Sequence, residues 1–394
     1  MLYPNKYPSF VKYMGSKSKI MDFVVEGLND VARATDPILD LFAGSASLAG
    51  AIGRQRSFHS NDVQAYSSVL SRAYAQNWRN TETPTAATIV ERAFNIVNDL
   101  RPSISDVVVS YDGDVNIQDF IKTEVAQRAL IERDFHHNWH LFLKNYSGTW
   151  WSAEQCLWID AIREVAEAYS EDTAYEAIIA SLMFAMAYCS QGTGHYAQYR
   201  DAGSDSSLKD ILIYRRRSIP AYFLRKFEEA LSWLPNEERQ LGFSAETSDY
   251  ATCLDNFDGG TVYADPPYCF VHYSRFYHAL ETLVLYDYPE LQVKGNAIVK
   301  GRYRVSRHQS PFSIASQVEA AFEKLFQGVR ASDSRLVLSY SNTGMIALER
   351  MGEIAAEVFS GKEIELLTMD HQHMTLGRTG IRHRDVKECL LLVK

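Results

Sequence analysis

The chain has 394 residues, which is long for one domain and favours two domains or one domain with a large insertion. Its formal net charge of −9 excludes nucleic-acid binding through the charge of the whole molecule, so any such binding would depend on local basic patches. No residue pattern indicates a metal site, because the five cysteines are scattered and form no CxxC pair. The cysteines are Cys156, Cys189, Cys253, Cys269 and Cys389.

The cysteines and the distribution of apolar residues also indicate the cellular compartment. An odd number of scattered cysteines argues against a disulfide framework and for a reducing environment. The first ten residues lack the apolar region of a secretion signal, and no apolar run reaches the length of about 18 residues that a membrane span needs. We therefore expect a soluble protein of the cytoplasm that does not associate with membranes.

The first motif in the chain is Phe10-Val-Lys-Tyr-Met-Gly-Ser-Lys17. Gly15 permits a tight turn, and Ser16 is suited to cap a helix over residues 17–28. Lys17 would lie in the first turn of that helix, where a lysine considered alone is more often a solvated surface charge.

Residues 37–50 predict a strand, a sharp turn of small residues and a helix, an arrangement that lets backbone N–H groups approach a ligand. The turn holds one glycine, Gly44, which argues against a nicotinamide-dinucleotide site. A second strand ends at Asn61-Asp62, about 20 residues after Asp40. Asp62 could hold the diol of a ribose, or it could cap the helix that follows.

The middle of the chain, residues 74–242, has a different composition and predicts a mostly helical insertion between core parts 1–73 and 243–394. An amphipathic helix follows Thr83-Pro84, and capping boxes are expected at Ser152–Gln155 and Thr173–Glu176. The helix after the second box is apolar all round and should be buried. A polar loop over residues 192–200, expected to be mobile, and the basic run Arg215-Arg216-Arg217 are candidates for a recognition face. The alternative is a packing subdomain with a solvated basic face.

The tetrapeptide Asp265-Pro266-Pro267-Tyr268 follows a short apolar run that predicts a buried strand. It would therefore lie at the carboxyl end of that strand, where open α/β sheets bind ligands. A carboxylate, a carbonyl-presenting proline and a flat ring together suit a planar amino group such as N6 of adenine. The alternative is a Pro-Pro turn with an incidental Asp. Upstream, Asp249-Tyr250 would fall after a third strand of this part of the chain.

Residues 291–318 contain five basic residues and no acidic one, which suggests phosphate contacts beside the pocket. The basic residues are Lys294, Lys300, Arg302, Arg304 and Arg307. Before this segment, residues 273–288 predict an aromatic-rich helix. After it come a strand at 336–340, a helix near 343–359 and an antiparallel edge pair at 363–369 and 386–393.

Five motifs in this order resemble the Dam-like (D12 class, α-group) DNA adenine-N6 methyltransferases, over about residues 8–70 and 243–394. The resemblance implies that Tyr13 and Lys17 lie against S-adenosylmethionine, with Lys17 near its carboxylate. It also implies that Asp62 holds the ribose and that Asp265, Pro266 and Tyr268 bind the flipped base. Pro267 belongs to the same catalytic motif. The remaining cofactor-site positions implied by the motifs are Asp40, Phe42, Ala43, Gly44, Ser45, Asp249, Tyr250 and Asp265, so that Asp265 would border both ligands. Two residues depart from the family pattern, since Ser16 and Ala46 stand where glycines are usual. Ser16 could act as a helix cap, and the methyl of Ala46 would be tolerated in a helical backbone.

The predicted fold is therefore an α/β, Rossmann-like S-adenosylmethionine-dependent methyltransferase core with a large, mostly helical inserted target-recognition domain. The predicted activity is site-specific methylation of adenine N6 in double-stranded DNA, in the cytoplasm at the nucleoid. A companion restriction endonuclease is a candidate functional partner. The alternatives are methylation of cytosine N4, RNA adenine or protein glutamine by the same fold, a catalytically silent DNA-binding protein and, least favoured, a nicotinamide oxidoreductase. Asp at position 265 favours adenine, because cytosine-N4 and glutamine enzymes of similar fold often carry Ser and Asn there.

Overall fold

The computed structural model describes residues 7–76, 83–192, 194–234, 241–268, 270–373 and 384–394. These residues contain nine strands. Cys269 and Thr193 lie outside these residues. The strands are β1 (Ile38–Asp40), β2 (Phe58–Asp62), β3 (Phe243–Thr247), β4 (Thr261–Ala264), β5 (Val293–Lys294), β6 (Ala297–Ile298), β7 (Arg335–Ser341), β8 (Ile364–His373) and β9 (Arg384–Val393).

Seven of these strands form one mostly parallel sheet in the order β3-β2-β1-β4-β7-β9-β8. The first five of that order are parallel, and β9 is antiparallel to both of its neighbours, β7 and β8. The chain runs outward from β1 in one direction and from β4 in the other, so the strand order reverses between them. Open α/β sheets bind their ligands at such a reversal, outside the carboxyl ends of the strands.

Helices cover both faces of this sheet. They are α1 (Met21–Val31), α2 (Ser47–Ile52), α3 (Ala65–Ala75), α4 (Ala86–Leu100), α5 (Ile117–Arg128), α6 (Leu141–Tyr146), α7 (Ala153–Glu167), α8 (Ala174–Cys189), α9 (Asp205–Arg215), α10 (Ile219–Trp233), α11 (Tyr250–Asp255), α12 (Tyr273–Phe276), α13 (His278–Leu285), α14 (Val318–Ala331) and α15 (Leu348–Val358). Short 3₁₀ helices lie at Lys17–Ile20, Arg101–Ile104, Ala129–Glu132 and Pro311–Ser313.

The two faces of the sheet are buried in two different cores. Side chains of successive residues point to opposite faces of a strand, so Leu336 and Leu338 face one core while Val337 faces the other. The smaller of these cores lies under α11, α14 and α15, and the larger lies under α1 to α3 and the helices of the middle segment. Strands such as β4, buried at every residue, read as continuous apolar runs because both faces are covered.

Several local predictions are confirmed. Ser16 caps the 3₁₀ turn that leads into α1, its side chain accepting from the N–H of Ser18. The Ser152–Gln155 capping box is present at the start of α7, and the apolar helix α8 is buried. The second expected box is wrong, because Thr173 makes no capping bond and Asp172 Oδ1 accepts from the N–H of Ala174 at 3.0 Å instead.

The middle segment packs on the sheet as a helical layer and shares its larger core with α1 to α3. Trp150 is buried and donates its indole N–H to the carbonyl of Gly301 at 2.9 Å. Arg163 donates to the carbonyl of Leu283 at 3.0 Å, which ties α7 to α13. These contacts join the segment to the second half of the chain along its length.

The loop at residues 192–200, which the sequence predicts to be polar and mobile, has a buried centre in its described part. His195, Tyr196 and Ala197 are buried. The N–H of Tyr196 donates to the carbonyl of Phe276 at 2.7 Å, and the hydroxyl of Tyr303 donates to the carbonyl of Ala197 at 2.6 Å. Two backbone groups of this loop are therefore bonded to distant parts of the chain.

In the part of the chain that the structure describes, no helix has the length and apolar character that a membrane crossing requires.

Candidate active site

The carboxyl ends of adjacent parallel strands bring four acidic side chains to one edge of the sheet. Asp40 ends β1, Asp62 ends β2, Asp265 directly follows β4, and Asp249 follows β3. Asp40 pairs in register with Tyr263, two residues before Asp265, so these carboxylates flank the point where the strand order reverses. The sequence alone predicted the strands, and their parallel pairing explains why residues far apart in the chain meet here.

One cleft, partly open to solvent, is lined by the predicted cofactor and catalytic residues together. Those residues are Tyr13, Lys17, Asp40, Phe42, Ala43, Gly44, Ser45, Asp62, Asp249, Tyr250, Asp265, Pro266, Pro267 and Tyr268. The hypothesis that the amino-terminal motif and the Asp-Pro-Pro-Tyr motif serve one site required this convergence.

Lys17 lies between two carboxylates at the base of the cleft. Its Nζ is 3.0 Å from Glu388 Oε2 and 3.3 Å from Asp265 Oδ1, and its side chain is 7% exposed. Glu388 is buried on β9 and was not predicted as a site residue. The one signal for it in the sequence is an acidic residue directly before the apolar run Cys389–Val393, since acidic residues are rarely buried unless paired.

Lys17, Asp265 and Glu388 form a triad whose charges affect the protonation of Asp265. Burial, the largest cause, raises the pKa of Asp265 to about 6; the attraction of Lys17 opposes this rise and the repulsion of Glu388 adds to it. Burial alone would lower the pKa of Lys17, but Asp265, Tyr268 and Glu388 together raise it well above its usual value. At neutral pH the lysine is therefore charged and Asp265 is ionised, which makes Asp265 a hydrogen-bond acceptor.

Tyr268 is half-buried at the lip of the cleft and contacts two members of the triad, Glu388 and Lys17. Its hydroxyl donates to Glu388 Oε1 at 3.4 Å, and Lys17 Nζ lies 4.9 Å from its ring centroid. Tyr340 packs edge-on against the same ring, with centroids 5.8 Å apart. These contacts fix the plane of a ring that could stack on a flat ligand.

The turn after β1 forms the opposite wall. Gly44 has a φ of +53°, and a Cβ at this position would come within 2.9 Å of the Tyr13 hydroxyl, so the close approach requires glycine. The N–H of Gly44 donates to Asp62 Oδ2 at 2.9 Å. Ala46 has a φ of 56°, in the left-handed region, so the expectation that a helical backbone would accommodate its methyl is wrong. Its conformation is one that favours glycine.

Both carboxylate oxygens of Asp62 are held by the backbone. Its Oδ1 accepts from the N–H of Gln64, just before α3, and its Oδ2 accepts from the N–H of Gly44, each at 2.9 Å. Burial raises the pKa of Asp62 to about 6, while the backbone N–H groups of Gln64, Gly44 and Val63 lower it. Asp249 caps α11 through the N–H of Ala251 at 2.9 Å.

An aromatic cluster lines the far end of the cleft, beside Asp249. Phe42 and Tyr250 have ring centroids 5.7 Å apart, and Phe312 packs against both at 5.5 and 5.2 Å. Apolar walls with a few polar groups are typical of sites that bind a flat heterocycle.

The charge of the cleft indicates the kind of ligand it accepts. Four carboxyl groups line it, and among the described lining residues Lys17 alone carries a permanent positive charge. Asp40 Oδ1 and Asp265 Oδ1 are buried and accept no hydrogen bond from any described residue. Burial, then Asp265 and Asp62, raise the pKa of Asp40 well above its usual range. These features fit a ligand that brings positive charge and hydrogen-bond donors.

The basic residues proposed for DNA contact differ in exposure, and five of them bond to other parts of the chain. Arg215 has a side-chain exposure of 0%, donates to Glu124 at 2.8 Å and is not on the surface, so its assignment as a DNA contact is wrong. Arg304 is also buried, forming a two-bond pair with Asp287 at 2.7 and 2.6 Å, and that assignment is wrong for the same reason. Arg216 donates to the carbonyl of Tyr111 at 2.9 Å.

The other four basic residues, Arg217, Lys300, Arg302 and Arg307, differ in their exposure and in their bonding partners. Arg217 donates to the carbonyl of Tyr188 at 2.6 Å, while Lys300 is half-exposed and pairs with Asp201 at 2.7 Å. Arg302 is buried with a φ of 53°, and its Nε has no hydrogen-bond partner among the residues described. Arg307 is half-buried next to His308, which lines the cleft.

The fold and cleft together define an α/β protein with a mostly parallel sheet and an acidic ligand site at the strand-order reversal, consistent with a methyltransferase fold. A family model described as "D12 class N6 adenine-specific DNA methyltransferase" matches residues 13–337, and the chain belongs to this family. Membership implies S-adenosylmethionine as the methyl donor.

Individual relatives agree with the family. The chain is 22% identical over 377 residues to the modification methylase LlaI of Lactococcus lactis subsp. lactis, covering 94% of this chain and 53% of that protein. It is 22% identical over 352 residues to the type II methyltransferase M.FokI of Planomicrobium okeanokoites, covering 87% and 46%. It is 24% identical over 358 residues to the type II methyltransferase M.NlaIII of Neisseria lactamica, covering 87% of each. The chain thus spans about half the length of the first two relatives and most of the third.

Proposed function

We propose that the protein is a site-specific DNA methyltransferase that transfers a methyl group from S-adenosylmethionine to N6 of an adenine flipped out of double-stranded DNA. The observation that carries the proposal is the convergence of Tyr13, Lys17, Asp62 and the motif Asp265–Tyr268 on one cleft. A methyl donor and its acceptor must meet in a single water-poor space, and this cleft offers walls suited to each.

The residues present fit the donor. Asp62 would accept from ribose hydroxyls, and Asp249 would accept from the adenine amino group beside the apolar wall of Phe42 and Tyr250. The close contact of Gly44 with Tyr13 would bring backbone against the ligand. When bound, S-adenosylmethionine supplies a methyl group on a positively charged sulfur. The excess of carboxyl groups over cations in the cleft is the feature that suits such a ligand.

The acceptor side consists of Asp265, Pro266 and Tyr268. A base inside a duplex cannot reach the cleft, so it must leave the stack at a cost of a few kcal/mol. Stacking on the Tyr268 ring would offset about 1–3 kcal/mol of that cost. Asp265 Oδ1 and the carbonyl of Pro266 would accept the two N6 hydrogens, which favours a tetrahedral nitrogen whose lone pair points at the methyl group.

The proton that the methylated nitrogen must lose has an acceptor at the same place. Asp265 is ionised at neutral pH and its Oδ1 has no hydrogen bond from a described residue, so this oxygen would hold the N6 hydrogen through the transfer. A carboxyl group with a pKa of about 6 can take up a proton and release it to water near neutral pH. Catalysis would then rest on position and charge, without a covalent enzyme intermediate.

DNA would approach along the open side of the cleft. His308 and Pro311, at the end of the basic segment 291–318, line the cleft, so Arg307 lies next to its edge. Lys300 and Arg307 are our candidates for phosphate contacts, whereas Arg302 is buried like Arg304 and is no longer one. Phe270, with 82% of its surface exposed just after Tyr268, is available to contact bases. We further propose that the middle segment, residues 74–242, supplies target recognition.

The relatives include proteins named modification methylases, and we propose the same role here, on double-stranded DNA that a companion restriction endonuclease would otherwise cut. That partnership is functional and requires no physical contact between the two proteins.

The test replaces Asp265 with alanine and measures methyl transfer to DNA, with nucleoside mass analysis of the product. Wild-type protein should produce N6-methyladenine. Asp265→Ala should lower the transfer rate by about 100- to 1000-fold, because one preorganised contact to the reacting group is lost. Its affinity for S-adenosylmethionine, measured by calorimetry, should change far less.

Asp258→Ala is the matched control, since this exposed aspartate precedes β4 at the opposite end of the strand from Asp265. It should retain wild-type activity. N4-methylcytosine in the product, or normal turnover by Asp265→Ala, would contradict the proposed reaction or the role of Asp265.

A further inference from the structure

Glu388 is a buried carboxylate that contacts both of the sequence motifs that line the cleft. It lies on β9, in register with Ser341 of β7 and Met369 of β8, with 1% of its surface exposed. Its Oε2 is 3.0 Å from Lys17 Nζ, and its Oε1 accepts from the Tyr268 hydroxyl at 3.4 Å. The residue therefore touches the first motif and the Asp-Pro-Pro-Tyr motif at once.

The two carboxylates beside Lys17 differ in where they lie. Asp265 lines the cleft, whereas Glu388 is buried behind it and is not among the lining residues. Glu388 can therefore hold the Lys17 ammonium at 3.0 Å without occupying space that a ligand needs. This placement suggests a role for Glu388 in positioning the groups that line the cleft.

The two contacts of Lys17 differ in kind. The bond to Glu388 at 3.0 Å meets hydrogen-bond geometry, whereas the 3.3 Å approach to Asp265 is an ion pair in which Asp265 Oδ1 accepts no hydrogen bond from a described residue. Lysine is a compact charge on a flexible four-carbon stem, so a directed bond decides where it lies. Glu388 thus determines the position of Lys17, and Asp265 receives the nearby charge while its oxygen stays open for a ligand donor.

We propose that Glu388 is a positioning residue for methyl transfer, which holds the Lys17 ammonium beside Asp265 and steadies the Tyr268 ring, so that Lys17 serves the acceptor base as well as the cofactor. This inference rests on the proposed function and extends it to a residue of the last strand. It also changes the expected role of Lys17, which the family resemblance places against the cofactor carboxylate alone.

The titration of Asp265 distinguishes positioning from a simple charge effect. The groups that face Asp265 are Lys17, Glu388, Asp40, Tyr263, Tyr268 and Tyr273. Lys17 lowers the pKa of Asp265 and Glu388 raises it. If Glu388 acted only as a charge, Glu388→Gln would move the acid limb of the rate–pH profile to lower pH. If Glu388 positions Lys17, the ammonium of the variant moves away from Asp265. The pKa of Asp265 then rises, and the acid limb moves to higher pH.

The experiment measures single-turnover methylation of DNA from pH 5 to 8, with cofactor affinity determined separately by calorimetry. Glu388→Gln should lower the rate constant by about 10- to 100-fold, as loss of a supporting partner does at other sites. Its acid limb should lie above that of wild type, and cofactor affinity should change less than about 3-fold. Glu365→Gln is the matched control, a glutamate of the same sheet that bonds to Lys394 at 3.1 Å, and it should behave as wild type.

A double-mutant cycle with Lys17→Met supplies the decisive comparison, and the double variant leaves no Lys17 charge unpaired if Glu388→Gln alone folds poorly. Glu388→Gln should add no further loss in the Lys17→Met background. An additive loss, an acid limb moved to lower pH, or weakened cofactor binding with an unchanged rate constant would overturn the inference. If wild-type protein does not methylate adenine at all, the proposed function fails instead, so the two failures are distinguishable.

Discussion

At the scale of single residues, the carboxyl groups of the cleft make cofactor binding depend on pH. Burial raises the pKa of Asp62 and that of Asp265 to about 6. A positively charged ligand binds the ionised forms, so protonation competes with it. We therefore expect affinity for S-adenosylmethionine to be highest above pH 6 and to fall as the pH decreases through that value.

Calorimetric dissociation constants between pH 5 and 8 check this prediction, and Asp62→Asn, which removes one of the two titrating groups, should show a weaker dependence on pH. An affinity that stays constant or increases as the pH falls would show that these carboxyl groups do not meet the positive charge of the ligand.

Some site residues were predictable from the sequence and others were not. The motif residues were predictable because Asp40, Asp62 and Asp265 each end a recognisable strand, and parallel strands end at one edge. Glu388 was not predictable, because its partner Lys17 lies at the other end of the chain and no local pattern joins them. The strain at Ala46 was also invisible, since a backbone φ value follows from the packing of the turn.

At the scale of elements, the basic segment 291–318 separates into surface and buried parts. Arg304 is committed to Asp287, whereas Arg307 lies beside the cleft edge. We expect Arg307→Ala to weaken DNA binding similarly for all sequences and to reduce the slope of log affinity against log salt by about 1. Arg304→Ala should leave that slope unchanged and lower the melting temperature, because it releases a buried partner.

Fluorescence anisotropy over a salt series, together with thermal unfolding, tests the Arg307→Ala and Arg304→Ala variants. Lys362→Ala, which replaces an exposed lysine before β8, controls for the loss of one surface charge. A reduced salt slope for Arg304→Ala would place phosphate at that residue after all. The sequence could not divide this segment, because the acidic partner of Arg304 lies outside it, at residue 287. Charge segregation along a chain does not reveal which charges are paired in space.

At the scale of the whole molecule, Asp160 links the helical layer to the second half of the chain. It lies on α7 and accepts from the N–H groups of Phe142 and Leu143 in α6 at 2.9 and 2.8 Å and from the hydroxyl of Tyr286, directly after α13, at 2.6 Å. Asp160→Ala would leave the two buried N–H groups without this partner, at about 1–3 kcal/mol each. We expect the variant to lose at least about 2 kcal/mol of stability and still unfold in one transition, because the layer and the sheet share a core.

Urea unfolding followed by tryptophan fluorescence and by circular dichroism measures both quantities, with Asp134→Ala, an exposed aspartate of the preceding loop, as the control. Separate transitions for the two signals would mean that the middle segment folds as an independent domain. The order of strands and helices was largely predictable from periodicity. The shared core was not, because a change of composition at residue 74 marks a change of role and says nothing about where the buried faces meet.

β9 follows β8 in sequence but lies inside the sheet, between β7 and β8. It carries the carboxylate that bonds to Lys17, a residue that precedes β1 by about 20 positions. A nascent chain therefore cannot assemble the triad of Lys17, Asp265 and Glu388 until translation has passed residue 388. A premature stop anywhere upstream would yield a product without this triad.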